Sequence, residues 1–264
     1  MKLPVFDLEG KETKQLELPS VFAEPVRPDL INRAAIAVRS TLFQPKGSTP
    51  LAGLQTSAEY VGRRRAYRTM INIERARLPK VKLAKGRFGE VRIVPQSRGG
   101  RPAHPPKVEK ILVERINKKE RRKAIRSAIA ATAQIGLVEK RGHRVEQKTV
   151  PIIVEDSFEK LKKTKEVLSL FGKLKLGKEL ERTKEVKIRP GRGRMRGRRY
   201  KRKKGVLVVV SKACPAIKAS GNIIGVDVSI VKNLNADLLA PGGQPGRLAL
   251  FTESAVKELD KLFR

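Results

Sequence analysis

The sequence predicts an α/β fold: a mostly parallel sheet with helices on both faces, Rossmann-like in arrangement, carrying one long basic extended loop. Two observations lead to this. Beyond Gln134, short runs rich in Val, Ile and Leu alternate with helical patterns, the signature of parallel strands joined by crossover helices. Between an apolar-periodic segment ending near Phe43 and another beginning near Asn117, more than sixty residues show no core pattern of their own. From Gln44 to Lys107 there are fifteen Lys or Arg against three acids, a balance of +12. Structureless connections in compact domains seldom exceed about 12–15 residues, so this one calls for an anionic partner. The expected organisation is a globular domain of residues 1–43 and 108–264, with 44–107 inserted into it as the loop.

Each element has its own local reason. Val5–Leu8 and Gln15–Leu18, parted by Glu9-Gly10-Lys11, predict a hairpin. Leu30, Ala34, Ala37, Val38, Thr41 and Leu42 recur at helical spacing over 28–43, with Pro28 suited to a first turn and Pro45 ending the pattern. Within the insertion, Val81–Val94 alternates basic and apolar residues around Gly86 and Gly89, predicting a short two-stranded excursion. Tyr60, Tyr67 and Phe88 stand among arginines there, placed equally well for base stacking or for local apolar contact. A helix from Asn117 to about Gln134 has an apolar stripe (Ala124, Ile125, Ala128, Ile129, Thr132) and a basic one (Lys119, Arg122, Arg126), with Asn117 and Glu120 at capping-box spacing.

The alternating region follows: strand 151–154, helix from about Phe158 to Phe171 with Gly172 as its stop, strand 206–211, a short helix over 213–220, strand 225–230, a helical turn near Ala236, strand 248–252 and helix 253–263. The passage Ala240–Gly246 is a glycine-rich connector.

Charge distribution decides more than its total. The chain is 264 residues with a net charge of +34, yet residues 205–264 carry only +2. In 186–204, VKIRPGRGRMRGRRYKRKK, eleven of nineteen residues are basic and none is acidic. Two basic stretches are thus grafted onto an ordinary globular chain. With Cys214 the sole cysteine, no intrachain disulfide can form and a reducing compartment is the default. Asp7 and Glu9 stand where a signal peptide would need its apolar run, and Ser127–Val138 is too short for the roughly 20 residues of a membrane span. A soluble cytoplasmic protein is expected.

Enzyme signatures are missing from the sequence. Gly191, Gly193 and Gly197 have the wrong spacing for a dinucleotide fingerprint and lie in an Arg-rich run, and Lys85-Gly86-Arg87 lacks the context of a phosphate loop. His104 and His143 are distant from each other and from Cys214, which argues against zinc. Cys214 is expected to be a small buried residue, and Asp227 and Asp237 to be structural. No cofactor, metal or small-molecule substrate is called for. Polyelectrolyte chemistry remains: glycine interleaved with guanidinium lets a backbone follow an uneven anionic surface while the planar forks take phosphate oxygens in pairs. Folded RNA suits such irregular extensions better than a regular DNA groove, and no helix-turn-helix or finger motif is present. An RNA-modifying enzyme and a DNA-compacting protein are the competing classes.

Several passages together carry a resemblance: Gly99–Lys107 (GGRPAHPPK), Lys118–Thr132 (KKERRKAIRSAIAAT), Arg141-Gly142-His143, Leu239–Leu248 (LAPGGQPGRL) and Phe251–Ala255 (FTESA). Over nearly its whole length the chain resembles the family of large-subunit ribosomal protein four, in its archaeal and eukaryotic form. The resemblance implies a non-enzymatic structural constituent of the large ribosomal subunit, with a globular α/β rRNA-binding domain and a basic loop reaching through large-subunit rRNA to help line the peptide exit tunnel. It puts the loop tip within about Arg75–Val94, Gly99–Lys107 on the return path and a second rRNA contact at Arg192–Lys204. Implied partners are large-subunit rRNA, neighbouring large-subunit proteins and the nascent peptide, with no membrane. The residues expected to bind rRNA are Arg63, Arg64, Arg65, Arg68, Arg75, Arg77, Lys80, Lys82, Lys85, Arg87, Arg92, Arg98, Arg101, His104 and Lys107 in the loop. Lys119, Arg122 and Arg126 are expected to do so from the helix, and Arg192, Arg194, Arg196, Arg198, Arg199, Lys201 and Arg202 from the second stretch.

Overall fold

Strands whose every side chain is buried must have a layer on each face, and 207–210 (LVVV), 249–252 (ALFT) and 152–154 (IIV) are such strands. The computed structural model describes residues 1–83, 88–147 and 149–263. In chain order its strands are β1 (Lys2–Phe6), β2 (Glu12–Glu17), β3 (Ala58–Glu59), β4 (Lys80–Lys82), β5 (Phe88–Val91), β6 (Ile152–Val154), β7 (Val186–Ile188), β8 (Tyr200–Arg202), β9 (Leu207–Val210), β10 (Asp227–Ile230) and β11 (Ala249–Thr252). The helices are α1 (Pro28–Ser40), α2 (Lys118–Thr132), α3 (Ile135–Lys140), α4 (Thr164–Lys173), α5 (Gly177–Lys184), α6 (Pro215–Gly221), α7 (Ala236–Leu239) and α8 (Glu253–Phe263). Two compact units result, residues 1–42 with 113–264, and residues 43–112.

In the first unit a six-stranded sheet runs β10-β9-β11-β6-β1-β2. Its pairs are parallel except β1 with β2, the expected hairpin at the edge. Alternate residues feed two cores. Leu207, Val209 and Phe251 face Ile31 of α1, Ile125 and Ile129 of α2 and Leu259 of α8, and the Phe22 ring meets that of Phe251 edge-on at 5.7 Å. Val208, Val210 and Leu250 face Val167, Leu170 and Phe171 of α4 and Ala216 and Ala219 of α6. Helices therefore cover both faces.

Three local expectations are corrected. The capping box does not form: Asn117 makes no side-chain cap bond, and Glu120 instead accepts from Arg33 Nη1 at 2.8 Å, tying α2 to α1. The single helix expected over 158–171 is a 3₁₀ turn, Asp156–Lys160, followed by α4. Asp156 and Glu159 are drawn into bonds with neighbouring strand ends, and the chain is extended at Leu161 before helix resumes. Gly172 lies inside α4; after it, Lys175 takes the left-handed conformation (φ 56°) between the buried Leu174 and Leu176. The helices α3 and α5 and the β7–β8 hairpin were not anticipated.

The second unit holds a small antiparallel sheet, β3-β4-β5, amid turns. The two-stranded excursion is there, with β3 added as a third strand. Among its described residues only Met70 is a buried apolar side chain. The two arms of the segment run side by side: Ser48 N–H donates to the Pro106 carbonyl (3.3 Å), and at Gly53 (φ 78°) a Cβ would stand 2.5 Å from the Arg101 backbone. No side chain fits there.

Candidate nucleic-acid interface

Most of the second unit's described cations are exposed. Arg63, Arg64, Arg65, Arg75, Arg77, Lys82, Arg98, Arg101, His104 and Lys107 are exposed, and Arg68 and Arg92 are half-buried. Some have internal duties. Lys82 pairs with Glu59, Arg92 donates to Glu90 (2.6 Å) and to the Arg98 carbonyl (3.0 Å), and the Arg68 guanidinium lies 5.1 Å from the Tyr67 ring centroid. Lys80 is buried on β4, unlike its neighbours. Lys85 and Arg87 lie outside the described residues. Lys46, His104, Pro105, Pro106, Lys107 and Lys110 are among the residues lining a groove of about 800 Å³.

On the first unit, Lys119 and Arg122 are exposed on α2 and, with Lys123, Arg126, Glu24 and Phe263, line a groove of about 310 Å³. Arg126 is half-spent, since its Nη2 pairs with Glu24 at 3.0 Å. The second basic stretch is a hairpin. Arg192, Arg194, Arg196, Arg198 and Arg199 surround its turn, Lys201 and Arg202 lie on β8, and all seven are exposed. Lys187 and Arg189 count among the eleven cations of 186–204 but are not among the individual residues expected to bind rRNA; the hairpin register places them beside this set.

The hairpin's base is held by a buried polar cluster. Glu179 on α5 accepts from Arg182 Nε (2.8 Å), Arg182 Nη2 (2.6 Å) and Arg144 N–H (3.0 Å), and lies 2.6 Å from His143 Nδ1. Arg182 Nη2 also donates to the Lys204 carbonyl at 2.8 Å, where the hairpin returns to β9. Burial opposes the charge on Glu179, but the bonds from Arg182 and His143 outweigh it and bring its pKa to about 2. Burial also pushes His143 below its usual range, against the pull of Glu179, so the imidazole is neutral and donates through Nδ1. The fully buried Arg247 donates to the Gly205 carbonyl (2.9 Å), the Leu238 carbonyl (2.8 Å) and Asp227 Oδ2 (2.6 Å). Arg141 grips the Ala240–Gly246 connector through the Pro241 carbonyl (2.7 Å) and that of Gln244. Burial, with Arg247 and Arg182 nearby, lowers Arg141 to about 10, still protonated at neutral pH. Gly246 (φ 92°) is needed because a Cβ would stand 2.5 Å from the Leu137 carbonyl oxygen. His143, Arg141 and Arg247, all within the quoted motifs, thus serve the scaffold.

Where an α/β enzyme would bind its ligand, at the carboxyl ends of the strands, this chain has placed its own carboxylates. Glu159 accepts from Ser211 N–H (2.9 Å) after β9 and from Thr252 Oγ (2.8 Å) on β11, while Asp156 accepts from Ser254 N–H (2.8 Å) at the start of α8. Negative charge there repels a phosphate. Burial and the nearby Glu159 raise the Cys214 thiol's pKa, which keeps it protonated and inert. Among the described residues, no His, Cys, Asp and Glu cluster is arranged to hold a metal, and no helix is long and apolar enough to cross a membrane.

Comparison with known proteins agrees with this picture. Residues 16–262 match the model of the ribosomal protein L4/L1 family. The large ribosomal subunit protein uL4 of Methanocaldococcus jannaschii is 51% identical over 264 residues, covering all of both chains. That of Methanococcus vannielii is 49% identical over 265 residues, again end to end. That of Sulfurisphaera tokodaii is 46% identical over 264 residues, covering 99% of this chain and 95% of the relative. A mostly parallel α/β sheet, basic surfaces and full-length similarity at these identities place the chain in a structural, non-enzymatic family: it belongs to the ribosomal protein L4/L1 family.

Proposed function

We propose that the chain is a structural constituent of the large ribosomal subunit, working in the cytoplasm, that binds large-subunit rRNA during assembly and sends its basic loop, 44–107, to help line the peptide exit tunnel. The segregation of charge carries this reading. Two stretches hold +12 and eleven cations respectively, while residues 205–264 are nearly neutral. On this reading a Rossmann-like body is a platform whose ligand crevice has been given up, and the extensions do the binding. The mechanism is charge neutralisation with mutual ordering: phosphates remove the repulsion within each stretch, and the stretch fixes the RNA around it. The left-handed residues Arg65, Arg68, Asn72 and β-branched Ile93 favour the same reading, because a segment with a single described buried apolar side chain has little else to hold such backbone. Neighbouring large-subunit proteins and the nascent peptide are further partners under this proposal.

Sedimentation tests it. The protein should travel with large subunits at fixed stoichiometry through a moderate salt wash, and loss of the protein at that step would defeat the proposal. For the tunnel, a photo-crosslinker at Arg77 should capture a stalled nascent chain. Crosslinks to rRNA alone would leave the loop away from the tunnel wall.

A further inference from the structure

The ribbon formed by β7 and β8 has two chemically opposed faces. Its register pairs Val186 with Arg202, Lys187 with Lys201 and Ile188 with Tyr200, and directly opposed residues share a face. Val186, Ile188 and Tyr200 therefore form one apolar face, edged by Arg202. Lys187 and Lys201 form the other. The bond from Arg189 N–H to the Arg199 carbonyl (2.8 Å) continues the ladder and adds a second pair of facing cations.

On the apolar face Ile188 is 56% and Tyr200 53% exposed; on the other Lys187, Lys201 and Arg199 are exposed, and Arg189 is half-buried with its Nε donating to the Arg198 carbonyl at 3.1 Å. Like charges set opposite one another destabilise a ladder, and strands this short are marginal on their own. The ribbon is nevertheless held at its return by Arg182 on the Lys204 carbonyl and Arg247 on the Gly205 carbonyl. It is shaped for a partner that neutralises one face while covering the other. The absence of any acid in 186–204 selects a polyanion. A fully paired duplex offers phosphates but keeps its bases stacked inside, which would satisfy the cationic face alone.

We propose that this ribbon, resting on the rRNA-binding reading above, recognises unpaired RNA bases: phosphates run along Lys187, Lys201, Arg189 and Arg199, and an unstacked base lies on Tyr200 and Ile188. The Arg199 guanidinium, 5.6 Å from the Tyr200 ring centroid, links the two faces. Sequence tolerance follows, since every base has a π-face to stack.

The chain has three tyrosines and no tryptophan, so the full-length Tyr60→Phe, Tyr67→Phe variant reports on Tyr200 alone. The probes are an RNA hairpin with a purine-rich loop and a blunt RNA duplex of equal phosphate count. The looped RNA should quench Tyr200 emission and the duplex should not. In the wild-type background, Tyr200→Ala should weaken looped-RNA binding by about 5- to 150-fold, the range of base–aromatic stacking, and duplex binding by less than about twofold. Lys187→Gln with Lys201→Gln should weaken both alike and flatten their salt dependence. Equal quenching by both RNAs, or by neither while both bind, overturns the ribbon's role and leaves rRNA binding intact. Quenching that requires another large-subunit protein assigns the apolar face to protein and overturns it too. If neither RNA binds at moderate salt, the rRNA reading falls as well.

Discussion

At the scale of single residues, the most consequential group is Glu179, whose carboxylate binds His143 and holds Arg182, which in turn donates to the Lys204 carbonyl at the return of the basic hairpin. Its pKa of about 2 and the depressed pKa of His143 both lie below the unfolded values of 4.5 and 6.5. The unfolded chain therefore binds more protons, and stability is lost as pH falls. His143 contributes first, below about pH 6.5, and Glu179 between 4.5 and about 2. Thermal melting of the free protein should show a lower midpoint at pH 5.5 than at pH 7.5, and His143→Gln should flatten that difference; an unchanged slope would remove His143 from the account. Glu179→Gln leaves Arg182 with a poorer acceptor in a buried site and should cost about 3 kcal/mol, read by denaturant titration.

At the scale of elements, legibility followed how each one is stabilised. Strands β6, β9 and β11 were plain in sequence because burial on both faces demands continuous apolar runs, and α8 stands on the residues expected because its apolar spacing is strong. The helix α5, GKELERTK, is mostly polar; it is held by Glu179 and by Thr183, whose hydroxyl donates to the Ile224 carbonyl at 2.9 Å, contacts that no local pattern records. The candidate site was legible as charge and opaque as geometry. Runs of arginine announce a polyanion, yet nothing in the sequence tells that Lys82 is paired with Glu59 or Arg126 with Glu24. Since Arg126 is engaged internally and Arg122 is exposed, Arg122→Gln should weaken rRNA binding without changing the melting midpoint, whereas Arg126→Gln should lower the midpoint. Paired binding and melting curves check both.

At the scale of the whole molecule, a net charge of +34 makes ionic strength the expected main control on the proposed rRNA binding. The logarithm of rRNA affinity should fall linearly with the logarithm of salt, at about 0.9 per phosphate contacted in duplex and about 0.7 in single strands. A flat dependence would exclude charge neutralisation as the mechanism. In the free protein, amides of residues 63–83 and 88–101 should exchange quickly while those of β6, β9 and β11 are protected, because the first set has little apolar burial behind it. Strong protection across the loop without RNA would mean that it orders itself.

The side-by-side arms at Ser48 with Pro106 and Gly53 with Arg101 have an evolutionary meaning. Because the chain is already closed at that neck, the span beyond it has its ends fixed close together whatever its length, and doubling that span costs only about 0.6 kcal/mol of closure entropy. Reach is thereby uncoupled from foldability. Under the proposed rRNA-binding role, the tip can be lengthened, trimmed or rewritten to follow a changing RNA while the neck and the sheet keep their own sequence rules.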